Sequence, residues 1–360
     1  SKGVIMKKEL LLATALVGSM GLASSASAVT MSWSGSHEVG IEGESPDGTG
    51  VDSTARSGGG SGLAVSLSET TDGGVGIASG FSLMNETTTF SNSNSGLTLT
   101  FTDGSKLDLV GAGNASDSHD VAIPASAGSE GIAYTATNAA PGGIDGLATG
   151  GDAVGFEWHS AADAMGVEGM KFSVSGSFNG DATTQAGTST AAVDTGYGVG
   201  VTYVADAGDT TVTIGAGYSS ASLTNSSATK DENNGQIGIS AVTGDLTVAA
   251  GYASGDTFAG AANTVKQVDA TITEAGAKYV SGDMTFNVGV VSSEGVDEDL
   301  GTAGTGVKDK KSETSASITY AVASGVSAIV GWTAQEEKSE GTKTDAASGS
   351  SWYIGANLSF

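Results

Sequence analysis

The chain has 360 residues, a formal net charge of −26, a single arginine (Arg56) and no cysteine. Phosphate backbones call for clustered Lys and Arg, so the charge argues against a nucleic-acid partner; the missing cysteines exclude a disulfide framework and a thiolate metal site. Glycine is abundant (57 residues), only 15% of residues are charged and 38% are hydrophobic, a mixture poor in long helix formers and lean for a dense globular core of this length.

At the start of the chain, Lys7 and Lys8 precede the apolar run LLLATALVGSMGLA, and Ala26 and Ala28 form an A-x-A cleavage site. This predicts a secretory signal peptide over 1–28, with Met6 as its start, Ser1 to Ile5 as an upstream extension, and a single mature domain over 29–360. A transmembrane anchor is the competing reading; the short apolar core ending in small residues argues against it. No later stretch holds about 18 apolar residues, so no transmembrane helix is expected.

From Val29 onward the dominant pattern is alternation over segments of about 8 to 12 residues. The first, VTMSWSGSHEVG, places Glu38 and Glu42 on its polar face and His37, irregularly, on its apolar face, where a bulge or a subunit contact would explain it. TFTDGSKLD reads as a hairpin, as do AVTGDLTV, KYVSGDMTF and YAVASGVSA, each with a Gly-Asp, Asp-Gly or Ser-Gly bend. Between these tight turns lie long polar stretches, among them SSASLTNSSATKDENN, Gly255 to Lys266, Ser293 to Ser312 and Glu336 to Gly349. The longest stretch without a convincing strand runs from about Gly113 to Gly151 and holds Pro124 and Pro141; Pro46 lies in the first long loop. The strands TVTIGAGYSS, MTFNVGVV and VSAIVGW follow, and SSWYIGANLSF closes the chain with Trp352, Ile354, Ala356, Leu358 and Phe360 at every second position.

The segmentation gives about sixteen strands joined by roughly seven short turns and eight longer loops, in alternation. A soluble sandwich wets one strand face and buries the other, but it has no reason to sort its connections by length. A membrane-spanning antiparallel barrel does so, with short periplasmic turns and longer external loops. In such a barrel the apolar alternation faces lipid, the last strand must pair with the first to remove both edges, and a long third loop can fold inward and narrow the lumen. Trp33, Trp158, Trp332, Trp352 and Tyr353 lie near strand ends, where interfacial girdles form.

These features together resemble the alphaproteobacterial general porins, sixteen-stranded trimeric channels of the outer membrane. The likeness is carried by VTMSWSGSHEVGIEG, by ARSGGGSGLAVSLSETTDGGVGIASGF, by LTLTFTDGSKLDLVGAGNAS leading into the long loop, and by the final LSF. The resemblance implies passive diffusion of small hydrophilic solutes, a homotrimer in a bilayer with a lipopolysaccharide leaflet, and a third loop (about 113–151) whose acids line an eyelet. Carried over, those acids are Asp117, Asp120, Glu130, Asp145 and Asp152. The basic wall that usually faces them is thin here: Arg56 is the one arginine, Lys106 and Lys171 sit at strand ends, and Glu38 and Glu42 point toward the lumen. A constriction of this kind prefers cations, because rings of carboxylates select them. The terminal stripe Trp352, Ile354, Leu358 and Phe360 resembles the signal read by the outer-membrane assembly machinery.

Other chemistry is weaker. His37, His119 and His159 are far apart with no metal-ligand spacing, and no G-x-S-x-G, H-E-x-x-H or Walker A motif is present, so no enzymatic role and no cofactor is expected. GYGVGV and GAGNAS are glycines of barrel strands rather than phosphate cradles, since no helix follows them. Glu294, Asp297, Glu298 and Asp299, with Asp231 and Glu232, could bind loop calcium weakly; pairing with Lys308, Lys310 and Lys311 at a solvated tip is the alternative. A secreted acidic β-rich surface protein, an adhesin or surface-layer subunit, is the rival to the channel, although no fixed-period repeat supports it.

Overall fold

The computed structural model describes residues 29–46, 54–58, 60–85, 93–109, 114–124, 154–178, 192–225, 228–258, 267–296, 308–338 and 348–360. The predicted leader, 1–28, lies outside them. Each alternating segment forms a strand: β1 (Thr30–Pro46), β2 (in two pieces, Thr54–Gly58 and Ser61–Thr70), β3 (Gly76–Asn85), β4 (Ser93–Thr100), β5 (Lys106–Leu109), β6 (Val154–His159), β7 (Met170–Phe178) and β8 (Ala192–Ala207). The second half adds β9 (Thr210–Asn225), β10 (Ala228–Thr243), β11 (Leu246–Phe258), β12 (Gln267–Ser281), β13 (Met284–Val296), β14 (Lys308–Ala323), β15 (Val326–Lys338) and β16 (Gly349–Ser359).

Every strand pairs antiparallel with the next in sequence, and β16 returns to β1, with Ser36 opposite Ser359 and Pro46 opposite Gly349. The result is one closed sixteen-stranded barrel with no free sheet edge. The two pieces of β2 hold a single register against β1: Gly40 faces Gly58, His37 faces Ser61, and Glu38 and Gly60 exchange backbone hydrogen bonds of 2.7 and 3.1 Å between them. The bulge, one of the two explanations for His37, is therefore absent; the imidazole sits on the outer face with its Nδ1 2.7 Å from the Ser61 hydroxyl. Pro46 is the last residue of β1 rather than a loop residue, at an end where a missing N–H costs little.

Connections sort by end. On one end lie 71–75, 101–105, 160–169, 208–209, 244–245, 282–283 and 324–325. At Gly208, Gly244 and Gly282 the backbone has φ of 69, 56 and 59°, with aspartate following, the pattern of a type II′ hairpin turn. The other end carries most of the longer connections, although 160–169 puts ten residues on the short-turn end and one expected loop is missing from the other. The polar stretch SSASLTNSSATKDENN is no loop: β9 and β10 continue their ladder through Ser222 opposite Asp231 to Asn225 opposite Ala228. Backbone hydrogen bonds sustain a hairpin beyond the apolar band whatever its side chains.

The distribution of polarity is inverted relative to a soluble protein. Buried residues are mostly polar, such as Ser173, Ser175, Ser219, Asn287, Ser315, Thr333 and Gln335, while Val39, Ile41, Val199, Ile214, Ile237, Val288, Ile318, Val330 and Ile354 stand exposed on the other face. A stripe of that width has only lipid to bury it. This excludes the secreted soluble alternative. Among the described residues no helix is long and apolar enough to cross a membrane; strands do so instead. Trp33, Trp332, Trp352, Tyr197, Tyr218 and Tyr252 are exposed on the outer face, and Trp332 stands directly opposite Trp352 in the ladder. Tyr353 is not part of that girdle: it points inward and is only 1% exposed, with its ring against Gly40 and Gly355 of the lumen wall.

Candidate functional site in the channel lumen

Beyond β5 the chain turns into the barrel. Asn114 to Pro124 begins with a single 3-10 turn at Asp117–His119. Asn114 starts it: its carbonyl accepts from Asp117 N (2.9 Å) and Ser118 N (3.1 Å), and its side-chain oxygen accepts from Ser116 N (3.0 Å). After the turn the segment is extended. His119, Val121 and Ile123 are buried against the wall, while Asp120 and Ala122 are exposed to the lumen.

The wall is shaped to receive it. Serines and glycines on the inner faces of β7 to β12 form a shallow furrow, with Ser175 opposite Gly198, Gly215 opposite Gly238, and Gly238 opposite Gly251. A Cβ on Gly200 would collide with the Ala115 carbonyl and the His119 ring, on Gly217 with Ser116, on Gly238 with Val121, and on Gly276 with the Pro124 carbonyl. The glycines are there because backbone packs directly on backbone. Val121 and Ile123 join Ala249 in the one small apolar cluster of the described interior.

Hydrogen bonds lock the segment in place. Ala115 N donates to Ser175 Oγ (2.9 Å), Gln236 Nε2 to the Ser116 carbonyl (2.7 Å), and Ser118 Oγ to Glu157 Oε1 (2.5 Å). His119 Nδ1 meets Thr202 Oγ1 at 2.7 Å and its Nε2 meets Ser173 Oγ at 2.8 Å. Ser173 also contacts His159 Nδ1 (2.9 Å), and His159 Nε2 meets Asp108 Oδ2 (2.9 Å), whose other oxygen accepts from Thr98. Burial first, then the positive charge of His159 and Lys171, holds His119 below the ordinary imidazole pKa. This convergence of two histidines corrects the expectation that the histidines stay apart. It arises because β6 and β7 are neighbours and the loop returns past both.

Asp117 and Asp120 are both exposed on the lumen side of the inward segment. Glu130, Asp145 and Asp152 lie outside the described residues. Glu38 and Glu42 occupy the inner face of β1, which stands half the ring away from β9. Arg56 is in register with Glu42 on the neighbouring strand. Lys106 and Lys171 are exposed on inner-face positions near the short-turn end. Trp352, Ile354, Leu358 and Phe360 are all exposed on the outer face. Glu294 is paired with Lys310 at 3.1 Å, the surface ion pair rather than a cation cage; Asp297, Glu298 and Asp299 lie outside the described residues. Sequence reading missed Asp108, Glu157 and Ser173 as lumen residues. The period-two pattern His119, Val121, Ile123 was the available signal that this part of the loop lies against a wall.

A hollow barrel with lipid outside, a polar bore and a loop packed inside it is a channel. The model of the family described as Gram-negative porin matches residues 13–342. The chain belongs to the Gram-negative porin family. This porin resides in the outer membrane. Solved structures agree on the fold. An anion-selective porin from Comamonas acidovorans superposes with a TM-score of 0.63 at 13% identity, covering 92% of this chain and 100% of that one. The outer-membrane channel DcaP of Acinetobacter baumannii gives 0.62 at 13% identity, with 94% and 99% covered. A mutant of the Rh. blastica porin gives 0.53 at 15% identity, with 92% and 100% covered. No curated protein sequence matches the chain.

Proposed function

We propose that this porin is a general diffusion pore for small hydrophilic solutes and ions that prefers cations, works as a homotrimer and has no enzymatic role. The preference draws its support from the exposure of Asp117 and Asp120 on the inward segment, together with Glu38 and Glu42 on the strand half a ring away. Carboxylates on both sides of a bore raise the local cation concentration and repel anions. The Comamonas acidovorans porin is anion-selective, but at 13% identity its likeness concerns the fold, whereas selectivity follows the charges of each lumen. Zero-current potential across a planar bilayer in a KCl gradient tests the reading. A potential of cation-selective sign supports it, and one of anion-selective sign overturns it.

The trimer draws support from OmpT of Vibrio cholerae, solved in a trimer form, and is tested by cross-linking of the folded protein in detergent. Residues 1–28 serve as a cleaved export leader. Trp352, Ile354, Leu358 and Phe360 present the terminal strand to the assembly machinery, and the longer loops meet the lipopolysaccharide leaflet.

A further inference from the structure

We propose that Asp108, Glu157 and His159 form a divalent-cation site on the channel wall, of the type that zinc occupies. Asp108 on β5 stands directly opposite Glu157 on β6, and His159 follows two residues later on the same face. One ligand atom from each lies within 4.8 Å of the others. His159 Nε2 is 2.9 Å from Asp108 Oδ2 and 3.7 Å from Glu157 Oε1. In a tetrahedral site with metal–ligand bonds of about 2.0–2.2 Å, ligand atoms sit roughly 3.4 Å apart, so small side-chain shifts suffice.

Charge supplies the driving force. Glu157 is only 2% exposed, and a carboxylate so buried needs compensation. Among the described residues the partners of the two carboxylates are hydroxyls, Thr98 on Asp108 and Ser118 on Glu157, together with the one imidazole. Within pairing distance the two anions thus meet only the imidazole, while Lys106, in register with His159, and Lys171 are exposed on the same inner face; a divalent ion bound to neutral His159 balances both carboxylates. Asp108 and His159 are about a quarter exposed (26% and 25%), which leaves the lumen side open for entry and for a water as fourth ligand. One nitrogen and two carboxylate oxygens suit a borderline ion better than calcium, which takes 6–8 oxygens.

The surroundings already hold the ligands in the required orientation. With metal on Nε2, the His159 Nδ1–H donates to Ser173, the Ser173 hydroxyl donates to His119 Nε2, and the His119 Nδ1–H donates to Thr202; every distance in this chain is 2.7–2.9 Å. Such outer contacts fix the tautomer of a metal-bound imidazole. Because Ser118 and His119 belong to the inward segment, the site is tied to the seat of the constriction.

The test is calorimetric titration of ZnCl2 into the folded, chelator-treated porin in detergent. The expected result is one zinc per chain, with binding at least tenfold weaker in His159→Gln and Glu157→Gln and unchanged in His37→Gln. Unchanged binding in both site variants, or CaCl2 binding as tightly as ZnCl2, overturns the proposal. Cobalt(II) added to the wild-type porin avoids any folding defect of the variants. The intense visible bands of four-coordinate cobalt support the site, and only the weak spectrum of aqueous cobalt counts against it.

Discussion

Phe360 and Gly35 close the barrel. Phe360 N donates to the Gly35 carbonyl (3.0 Å), Gly35 N donates to the Phe360 carbonyl (3.1 Å), and the Phe360 ring covers Gly35 so closely that a Cβ there would meet its Cζ at 2.6 Å. The ladder between β16 and β1 thus runs to residue 360. Deleting Phe360 removes two hydrogen bonds, worth about 0.5–1.5 kcal/mol each, and uncovers Gly35 at the closing seam. The expected outcome is a severalfold fall in the assembled fraction, seen as heat-modifiable mobility on gels, with normal single-channel conductance for the channels that do form. Normal assembly of the truncated chain would leave the closing contact without consequence.

The furrow is as specific as the ring contact. Gly238→Val places a branched side chain where Val121 packs, and overpacking of this kind costs about 1–3 kcal/mol. The wall strand is fixed by its ladders, so the inward segment gives way. We expect larger and noisier conductance steps than in the wild type. Gly235→Ala is the control, because the new Cβ would meet only Tyr218 Cδ2 at an ordinary 3.9 Å. Identical conductance in both variants would show that the segment does not narrow the bore.

Acid should loosen the same segment. His119 has its pKa lowered in the folded protein by burial and by the charges of His159 and Lys171. The unfolded or unseated state therefore binds more protons, and stability of the seated loop rises with pH. That stability is complete above the free imidazole value of about 6.5 and is lost as pH falls from there toward the lowered folded value. Current noise recorded at pH 7.5 and pH 5, with chelator present, should grow on acidification in the wild type and stay level in His119→Gln.

Much of this was legible because lipid and a polar bore impose a strict period of two. Trp352, Ile354 and Leu358 face outward as the alternation predicts, and Glu38 and Glu42 face inward. The alternation states the face of a residue but not its neighbour around the ring. Asp108, Glu157, His159 and Ser173 meet because β5, β6 and β7 are adjacent across the long loop and a ten-residue turn, so no spacing in the sequence signals their contact. The β9–β10 hairpin was hidden for the opposite reason. Above the apolar band its strands carry Ser, Thr and Asn on both faces, and only the backbone ladder defines them.

Asp117 and Asp120 offer the sharpest test of what the lumen does to ions. Both are exposed on the inward segment, which the furrow and five side-chain contacts hold against β6 to β10. A unit charge about 4 Å from a passing ion is worth about 1 kcal/mol in water, and opposite signs act on cation and anion. Asp117→Asn with Asp120→Asn keeps the size of both side chains and removes the charge, exchanging one acceptor oxygen for an NH2 donor in each. The cation-to-anion permeability ratio should fall by roughly fivefold or more at low salt, and the difference should shrink at 1 M, where the Debye length is about 3 Å. Glu168→Gln, at an exposed turn outside the bore, should leave the zero-current potential unchanged. A double variant as cation-selective as the wild type would move the filter from the inward segment to the Glu38 and Glu42 wall.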